Sequence, residues 1–406
     1  MKRPAPRTKA SSSTRGACFV LVGLVVMEGI QQSVYGVLFI AERAGRNRGL
    51  RPRAGCGTQA LLPHLRHLLG DAMSEVRTID THTHVLTEET AALLRKEAPK
   101  VPVTITPIDA ASATLDVGGV AYKPYPRGGF DIAHRLRDMD EAGVDMHVLS
   151  ATPQTYLYNQ EASLGAATAA IQNDQIAKLV RENPQRFMGI ATLPMQAPEK
   201  AAGELRRAVT KLGLRGTMIA SNIMGKNLDD PSFEPLWATA EDLGAFVFVH
   251  PNNVAGADRM KSYYLNNLIG NPLDTTIGAA CLYFGGVLDR HPRLTVVLAH
   301  GGGFTPYQAA RWEHGWQVRP EPKKNIAKQP TNIARRFYYD TILHSAPVLE
   351  FMIGHVGADR VMLGSDYPYD MGMMDCVKHV RSLNIADADK ATILGGRAAT
   401  LLAAKS

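Results

Sequence analysis

"IDTHTHVLTEE", residues 79 to 89, is the stretch on which the reading of this chain turns. It reads as a strand, and strand side chains alternate, so Asp80, His82 and His84 share one face. A carboxylate and two imidazoles aimed together make a poor core and a good metal site. An isolated H-x-H pair also suits an ordinary strand end at the surface. What accompanies it decides.

Short apolar, β-branched runs recur downstream. They are "VRTID" (76–80), "VDMHVLS" (144–150), "FMGIATLP" (187–194), "LRGTMIA" (214–220), "AFVFVH" (245–250), "LTVVLAH" (294–300), "RRFYYDT" (335–341) and "RVMLGSD" (360–366). Amphipathic stretches separate them. "DIAHRLRDMDEAG" places Ile132, Leu136 and Met139 at helical spacing and stops at Gly143. "APEKAAGELRRAVTKLG" opens on Pro198 and stops at Gly213, and "TTIGAACLYFGGVLDRHP" ends before Pro292. Eight strands alternating with helices predict an α/β fold, a (β/α)₈ TIM-like barrel. The spare length, about residues 86–130, is rich in Pro and Gly and reads as an inserted loop or small hairpin region after strand one. An open doubly wound sheet shares the alternation, so the strand endings must separate the two.

Those endings carry the chemistry. Strand one ends in His82 and His84, strand five in His250, strand six in His300 and strand eight in Asp366. Each follows an apolar run, which puts its side chain at the rim of a barrel mouth, where barrel enzymes keep their active sites. Five residues of metal-ligand type at four endings are hard to attribute to chance. Imidazole and carboxylate donors with one position left open describe a catalytic metal site. The glycines of "HGGG" leave room beside His300 for a substrate, or make a tight turn, or both.

Composition narrows the partners. The formal charge of +7 comes from the first 72 residues, with 11 Lys+Arg against 3 acidic residues; the rest of the chain balances to −1. No basic face for nucleic acid is implied for residues 73–406. The extension 1–72 starts "MKRPAPRTKASSSTR" and runs into apolar "ACFVLVGLVVM", the outline of a signal peptide within residues 1–40. That run is too short to span a bilayer, Glu28, Gln31 and Gln32 interrupt it, and no small-residue cleavage site follows. The expectation is a disordered or misassigned leader, with Met73 as the natural start of the barrel domain. Cys18, Cys56, Cys281 and Cys376 form no metal or disulfide pattern, which fits a reducing, cytoplasmic setting without membrane attachment.

The order H-x-H, "HP", "HGGG", "SDYP" resembles the amidohydrolase superfamily. More narrowly it resembles the branch of metal-dependent, non-oxidative decarboxylases that includes the 2-amino-3-carboxymuconate-6-semialdehyde enzymes. The likeness extends to connecting text such as "PQRFMGIATLPMQAPEKA" and "DRVMLGSDYPYDMG". It implies His82, His84, His250 and Asp366 as metal ligands, and His300 with Asp366 as the acid/base pair. It implies Arg259 as a carboxylate-binding residue reaching a neighbouring subunit's substrate, and Arg127 as the other, set one position off the family's spacing. A homodimer or larger homo-oligomer follows from that. Two-metal relatives use a lysine at the end of strand four; here that strand ends "GTMIASN" and Lys226 lies beyond it, so one divalent ion is expected, Zn²⁺ with Mn²⁺ as the alternative. Asn252 and Asn253 replace an aromatic residue of the muconate-semialdehyde enzymes, and Tyr369 and Asp370 replace an apolar pair. The implied reaction is decarboxylation of a small unsaturated or aromatic carboxylic acid, of the muconate-semialdehyde or hydroxybenzoate kind. The alternative is a hydrolase or hydratase of a lactone, amide or activated double bond on the same scaffold.

Overall fold

The computed structural model describes residues 77–98, 101–326 and 328–403, and the expectations for the extension 1–72 lie outside them. The chain enters on β1 (Ile79–Val85), then forms an antiparallel meander of β2 (Val103–Pro107), β3 (Ser112–Val117) and β4 (Val120–Pro126). Next come β5 (Met146–Ala151), β6 (Phe187–Gly189), β7 (Gly216–Ala220) and a short hairpin of β8 (Asn222–Ile223) and β9 (Lys226–Asn227). The last strands are β10 (Phe246–His250), β11 (Thr295–Leu298), β12 (Tyr338–Asp340) and β13 (Val361–Met362). Leaving out the meander and the hairpin, eight strands are parallel, one for each apolar run in the sequence.

They form two ladders, β1-β5-β6 and β7-β10-β11-β12-β13. Two seams join the ladders into a ring. Between β6 and β7, Ala191 bridges Thr217, with Ala191 N–H donating to Gly216 O at 2.8 Å and Met218 N–H to Ala191 O at 2.9 Å. Between β13 and β1, Thr83 bridges Tyr367; Thr81 N–H donates to Leu363 O and Asp366 N–H to His82 O, both at 2.9 Å. The expected barrel is therefore the fold. Its strands are buried on both faces, as "FVFVH" shows: Phe246, Val247, Phe248 and Val249 are all 1% exposed or less.

Local signals explain the helices. Asp131 caps Ile132–Ala142 by accepting from His134 N–H at 3.0 Å, and Gly143 ends it at φ 70°. Pro198–Leu212 likewise ends on Gly213 at φ 74°. The single helix expected through "TTIGAACLYFGGVLDRHP" is two, Asn271–Phe284 and Val287–Arg290. Gly286 turns left-handed at φ 74° between them, and a Cβ on Gly285 would sit 2.2 Å from Asp229.

Strand one runs through both histidines to Val85, past the residue-80 end of the apolar run, because its pairing with β5 continues over His84–Ser150 and Val85–Ala151. The inserted region, expected as a loop or small hairpin region, holds the meander and a helix. Helix Glu88–Glu97 packs on the meander through Leu86, Leu94, Val103, Leu115 and Tyr125, a small core of its own. Among the described residues no helix is long and apolar enough to cross a membrane.

Candidate active site

The three strand-end histidines at His82, His84 and His250 are each held in one tautomer. His82 Nδ1 lies 2.8 Å from Asp340 Oδ2, and His250 Nδ1 lies 3.0 Å from the Pro251 carbonyl. His84 Nδ1 faces Ser150 Oγ at 3.1 Å, a hydroxyl that already donates to Thr83 O at 2.8 Å. All three partners can only accept at that contact, so Nδ1 carries the hydrogen and Nε2 keeps its lone pair. Among the described residues the Nε2 atoms of His82 and His250 are buried without a hydrogen-bond partner, and His84 Nε2 is 3.1 Å from Asp366 Oδ1. Bare imidazole nitrogens around one carboxylate are what a divalent cation takes, and the anchored Nδ1 is how metal-binding histidines are oriented.

Ligand atoms of His82, His250, His300 and Asp366 lie within 4.8 Å of one another. His300 is therefore as near as the others, yet it is held differently. Its Nε2 lies 3.4 Å from Asp366 Oδ2, and its Nδ1 is buried with no acceptor among the described residues to fix a tautomer. That freedom suits a residue that gains and loses a proton. Both His300 (φ 54°) and Asp366 (φ 61°) have left-handed backbones, strain of a kind concentrated at functional sites.

The charges are strongly coupled. Burial would raise Asp366, but His82, His300 and His84 hold it well below the usual carboxylate range. Burial opposes charge on His82, and the Asp366 and Asp340 carboxylates outweigh it and raise its pKa. His84 is pushed down to about 4, chiefly by burial, and His250 falls well below the usual imidazole value for the same reason. The pocket collects one carboxylate with His84 and His250 pushed toward the neutral form, a donor set that suits a cation.

Asp80 does not join them. Its Oδ1 accepts from His82 N–H at 3.0 Å and Ser365 N–H at 3.1 Å, and Oδ2 accepts from the Ser365 hydroxyl. The β1 register shifts between Asp80 and Thr83, which separates it from the histidine pair. Asp80 instead ties β1 to the turn that presents Asp366. Burial raises its pKa to about 7. Lys226 is exposed and 3.6 Å from Asp230, so strand four supplies no lysine to the mouth.

Above the cluster opens a cleft of about 480 Å³ lined by His250, His300, Asp366, Asn252, Asn253, Tyr369 and Asp370. The insert roofs it with Ala121, Tyr122, Lys123, Pro124 and Tyr125. Lys123, unremarked in the sequence, is the one Lys or Arg among the described residues that line it. Arg127 is not brought there: its Nε lies 2.8 Å from Asp131, four residues on, at a half-exposed surface. Arg259 is exposed on the turn Ala257–Arg259 and does not line the cleft either. The glycines after His300 serve the turn. All three have positive φ, and a Cβ on Gly301, Gly302 or Gly303 would meet Leu343, Tyr339 or Pro272 rather than open space.

Two further buried residues escaped the sequence reading. Arg135, 0% exposed, donates to the carbonyl of His84 and to Gly128 O at 3.0 Å, and lies over the Tyr367 ring. Asp340 ends β12 as His250 ends β10, but an aspartate after "YY" reads as an ordinary strand cap.

Known proteins match this geometry. An amidohydrolase family model matches residues 79–403. The 2-amino-3-carboxymuconate-6-semialdehyde decarboxylase of Dictyostelium discoideum is 36% identical over 326 residues, 80% of this chain and 91% of that protein. Among solved structures, 5-carboxyvanillate decarboxylase from Sphingomonas paucimobilis is 28% identical with a TM-score of 0.68, covering 81% of this chain and 99% of that one. A dihydroxybenzoic acid decarboxylase from Polaromonas, with bound manganese and 2-nitroresorcinol, is 26% identical with a TM-score of 0.67, covering 80% and 96%. With the barrel, the histidine pair and the strand-eight aspartate in place, the chain belongs to the amidohydrolase superfamily, in its branch of metal-dependent, non-oxidative decarboxylases.

Proposed function

We propose that the cleft removes carbon dioxide from a small unsaturated or aromatic carboxylic acid, with one divalent ion held by His82, His84, His250 and Asp366. The observation that carries this reading is the set of three imidazoles anchored through Nδ1, with the Nε2 atoms of His82 and His84 at 3.3 and 3.1 Å from Asp366 Oδ1. Zn²⁺ is the ion we assign, since these donors suit it, and Mn²⁺ is the alternative that a relative holds. When bound, the ion supplies a Lewis acid that polarises an oxygen of the substrate.

The remaining work belongs to the chain. Lys123 at the roof and Arg259 from a neighbouring copy engage substrate carboxylate, which makes the working form a homodimer or larger. Arg127, tied to Asp131, is left without that role. As the bond to the departing carboxyl carbon breaks, its electron pair stays on the ring or chain carbon, and His300 delivers the proton that replaces carbon dioxide. Asp366, 3.4 Å from His300 Nε2, steadies the imidazolium before that transfer and faces a neutral imidazole after it. Asn252, Asn253 and Asp370 make a polar wall where stacking is expected in the muconate-semialdehyde enzymes, so the substrate carries hydrogen-bonding substituents. Residues 73–406 act alone as the catalytic unit, in the cytoplasm, and removing 1–72 leaves turnover unchanged.

The test loads the protein with Zn²⁺ or Mn²⁺ and screens muconate-semialdehyde, resorcylate and vanillate-type acids for carbon dioxide release. Release of one equivalent per product supports the reading. Acid release from lactones with no carbon dioxide from any acid would replace it with the hydrolase alternative.

A further inference from the structure

Asp340 is fully buried, and every acceptor site of its carboxylate is engaged. Oδ2 accepts from His82 Nδ1 at 2.8 Å and from the backbone N–H of His300 at 2.9 Å. Oδ1 accepts from Gly301 N–H at 2.7 Å and from Ile342 N–H at 3.2 Å. One side chain thus holds a residue on strand one and the left-handed backbone of the turn after strand six. Burial opposes its ionisation, but His82, His300 and the Gly301 amide keep its pKa low.

We infer that Asp340 is a positioning residue that couples the metal ligand His82 to the acid/base His300. Two consequences follow from its bonding. As an acceptor on both oxygens, it fixes the hydrogen of His82 on Nδ1 and leaves Nε2 free to ligate. By taking the amide hydrogens of His300 and Gly301 together, it holds His300 in a backbone region that non-glycine residues seldom adopt. This rests on the proposed metal site, and goes beyond it in tying ligand affinity to proton transfer through one carboxylate.

Only a carboxylate fits. An asparagine has one acceptor oxygen and one donor NH₂. With its oxygen toward Gly301 and Ile342, its NH₂ meets the His300 amide donor and forces His82 to accept at Nδ1, moving the ring hydrogen to Nε2. With the amide flipped, the NH₂ meets the donors of Gly301 and Ile342.

The experiment uses Asp340→Asn in the full chain. Affinity for Zn²⁺ is read by chelator competition, turnover at saturating Zn²⁺, and folding by melting of the metal-free protein. We expect affinity to fall about 10–100-fold, the usual effect of removing an outer partner of a ligand. We also expect saturated turnover to stay at least about 10-fold down with KM little changed, as for a misplaced acid/base. A variant that is merely less stable, with wild-type affinity and saturated turnover, overturns the inference. So does one whose turnover recovers fully at saturating Zn²⁺, because His300 is then not coupled. If Asp340→Asn does not fold, the metal-free wild type decides. Nitrogen-15 spectra of its histidines, assigned by the signal missing in His82→Ala, must show His82 carrying hydrogen on Nδ1; hydrogen on Nε2 alone overturns the assignment. A wild type that binds no divalent ion at all would instead sink the metal-site reading, a result distinct from either.

Discussion

Replacing His300 with glycine separates the chemistry of that residue from its architecture. His300 sits at φ 54°, a region that costs an L-residue roughly 1–2 kcal/mol. Glycine removes that strain, but its extra freedom in the unfolded chain costs about 0.5–1 kcal/mol. The imidazole makes one polar contact, the 3.4 Å approach to Asp366, and its ring is loosely set at 5.3–5.4 Å from those of His82 and His250. These terms nearly cancel, so His300→Gly should melt within about 1 kcal/mol of wild type. Removing a positioned acid/base should cost about 10²–10⁴ in turnover. That loss corresponds to roughly 3–5 kcal/mol of barrier. Metal content per chain by mass spectrometry, thermal melts and initial rates are measured on the same preparation. His82→Ala, which deletes a ligand, should lose metal and rate together. If His300→Gly is purified metal-free, the imidazole is a ligand and the division of roles is wrong. If it keeps full turnover, the proton comes from elsewhere.

Three other outcomes follow from the geometry. Lys123→Ala should raise KM about 10-fold with kcat nearly unchanged, the loss of one charge-assisted contact, whereas Arg127→Ala should change neither by more than about twofold because its exposed pair with Asp131 contributes little. Stripping the ion should abolish turnover and speed amide exchange at Thr81, His84 and Asp366, and free ion at 100 times Kd should restore about 2.7 kcal/mol of stability in melts. Gly302→Ala forces a methyl to 2.5 Å from the Tyr339 ring at φ 74°, so it should cost roughly 1–3 kcal/mol and lower turnover more than metal content, since the turn it distorts carries His300.

The sequence exposed its strands because barrel strands are buried on both faces, and "FVFVH" or "TVVLAH" cannot be mistaken for an amphipathic surface. It exposed His250, His300 and Asp366 because a polar residue directly after such a run has nowhere to go but the rim. What stayed hidden has a different character. Asp340 follows a run as well, but "YYD" ends in the commonest kind of strand cap, and its four donors come from strands one, six and seven. Arg135 reads as a solvated helix charge, since nothing local announces that His84 O, Gly128 O and Tyr367 enclose it. Arg127 differs for another reason: its side chain has a local partner at i+4 in Asp131, and a family likeness does not register that pairing. Lys123 depended on how the insert folds over the mouth, which periodicity in a Pro-rich stretch does not specify.

Closing the barrel and assembling the site are one physical event. The seam between β13 and β1 is made by Asp366 N–H to His82 O at 2.9 Å and His84 N–H to Tyr367 O at 2.7 Å, so the backbone bonds of these site residues themselves complete the ring. Asp80 reinforces the seam by gripping Ser365, one residue before Asp366. Asp340 adds a link from strand seven back to strand one and across to the turn after strand six. Asp80 and Asp340 each take several donors, some of them from other strands, and such pairing is the condition under which buried charge is tolerated. The left-handed strain at His300 and Asp366 falls where these links converge, so the ring's closure holds both residues in place. A chain that had not yet paired β1 with β13 would present the strand-one histidines without Asp366, and a divalent ion would find too few donors to stay. Metal affinity and barrel integrity are therefore expected to rise and fall together at this seam, while substitutions in the cleft wall, at Asn252, Asn253 or Asp370, alter what is bound without loosening the ring.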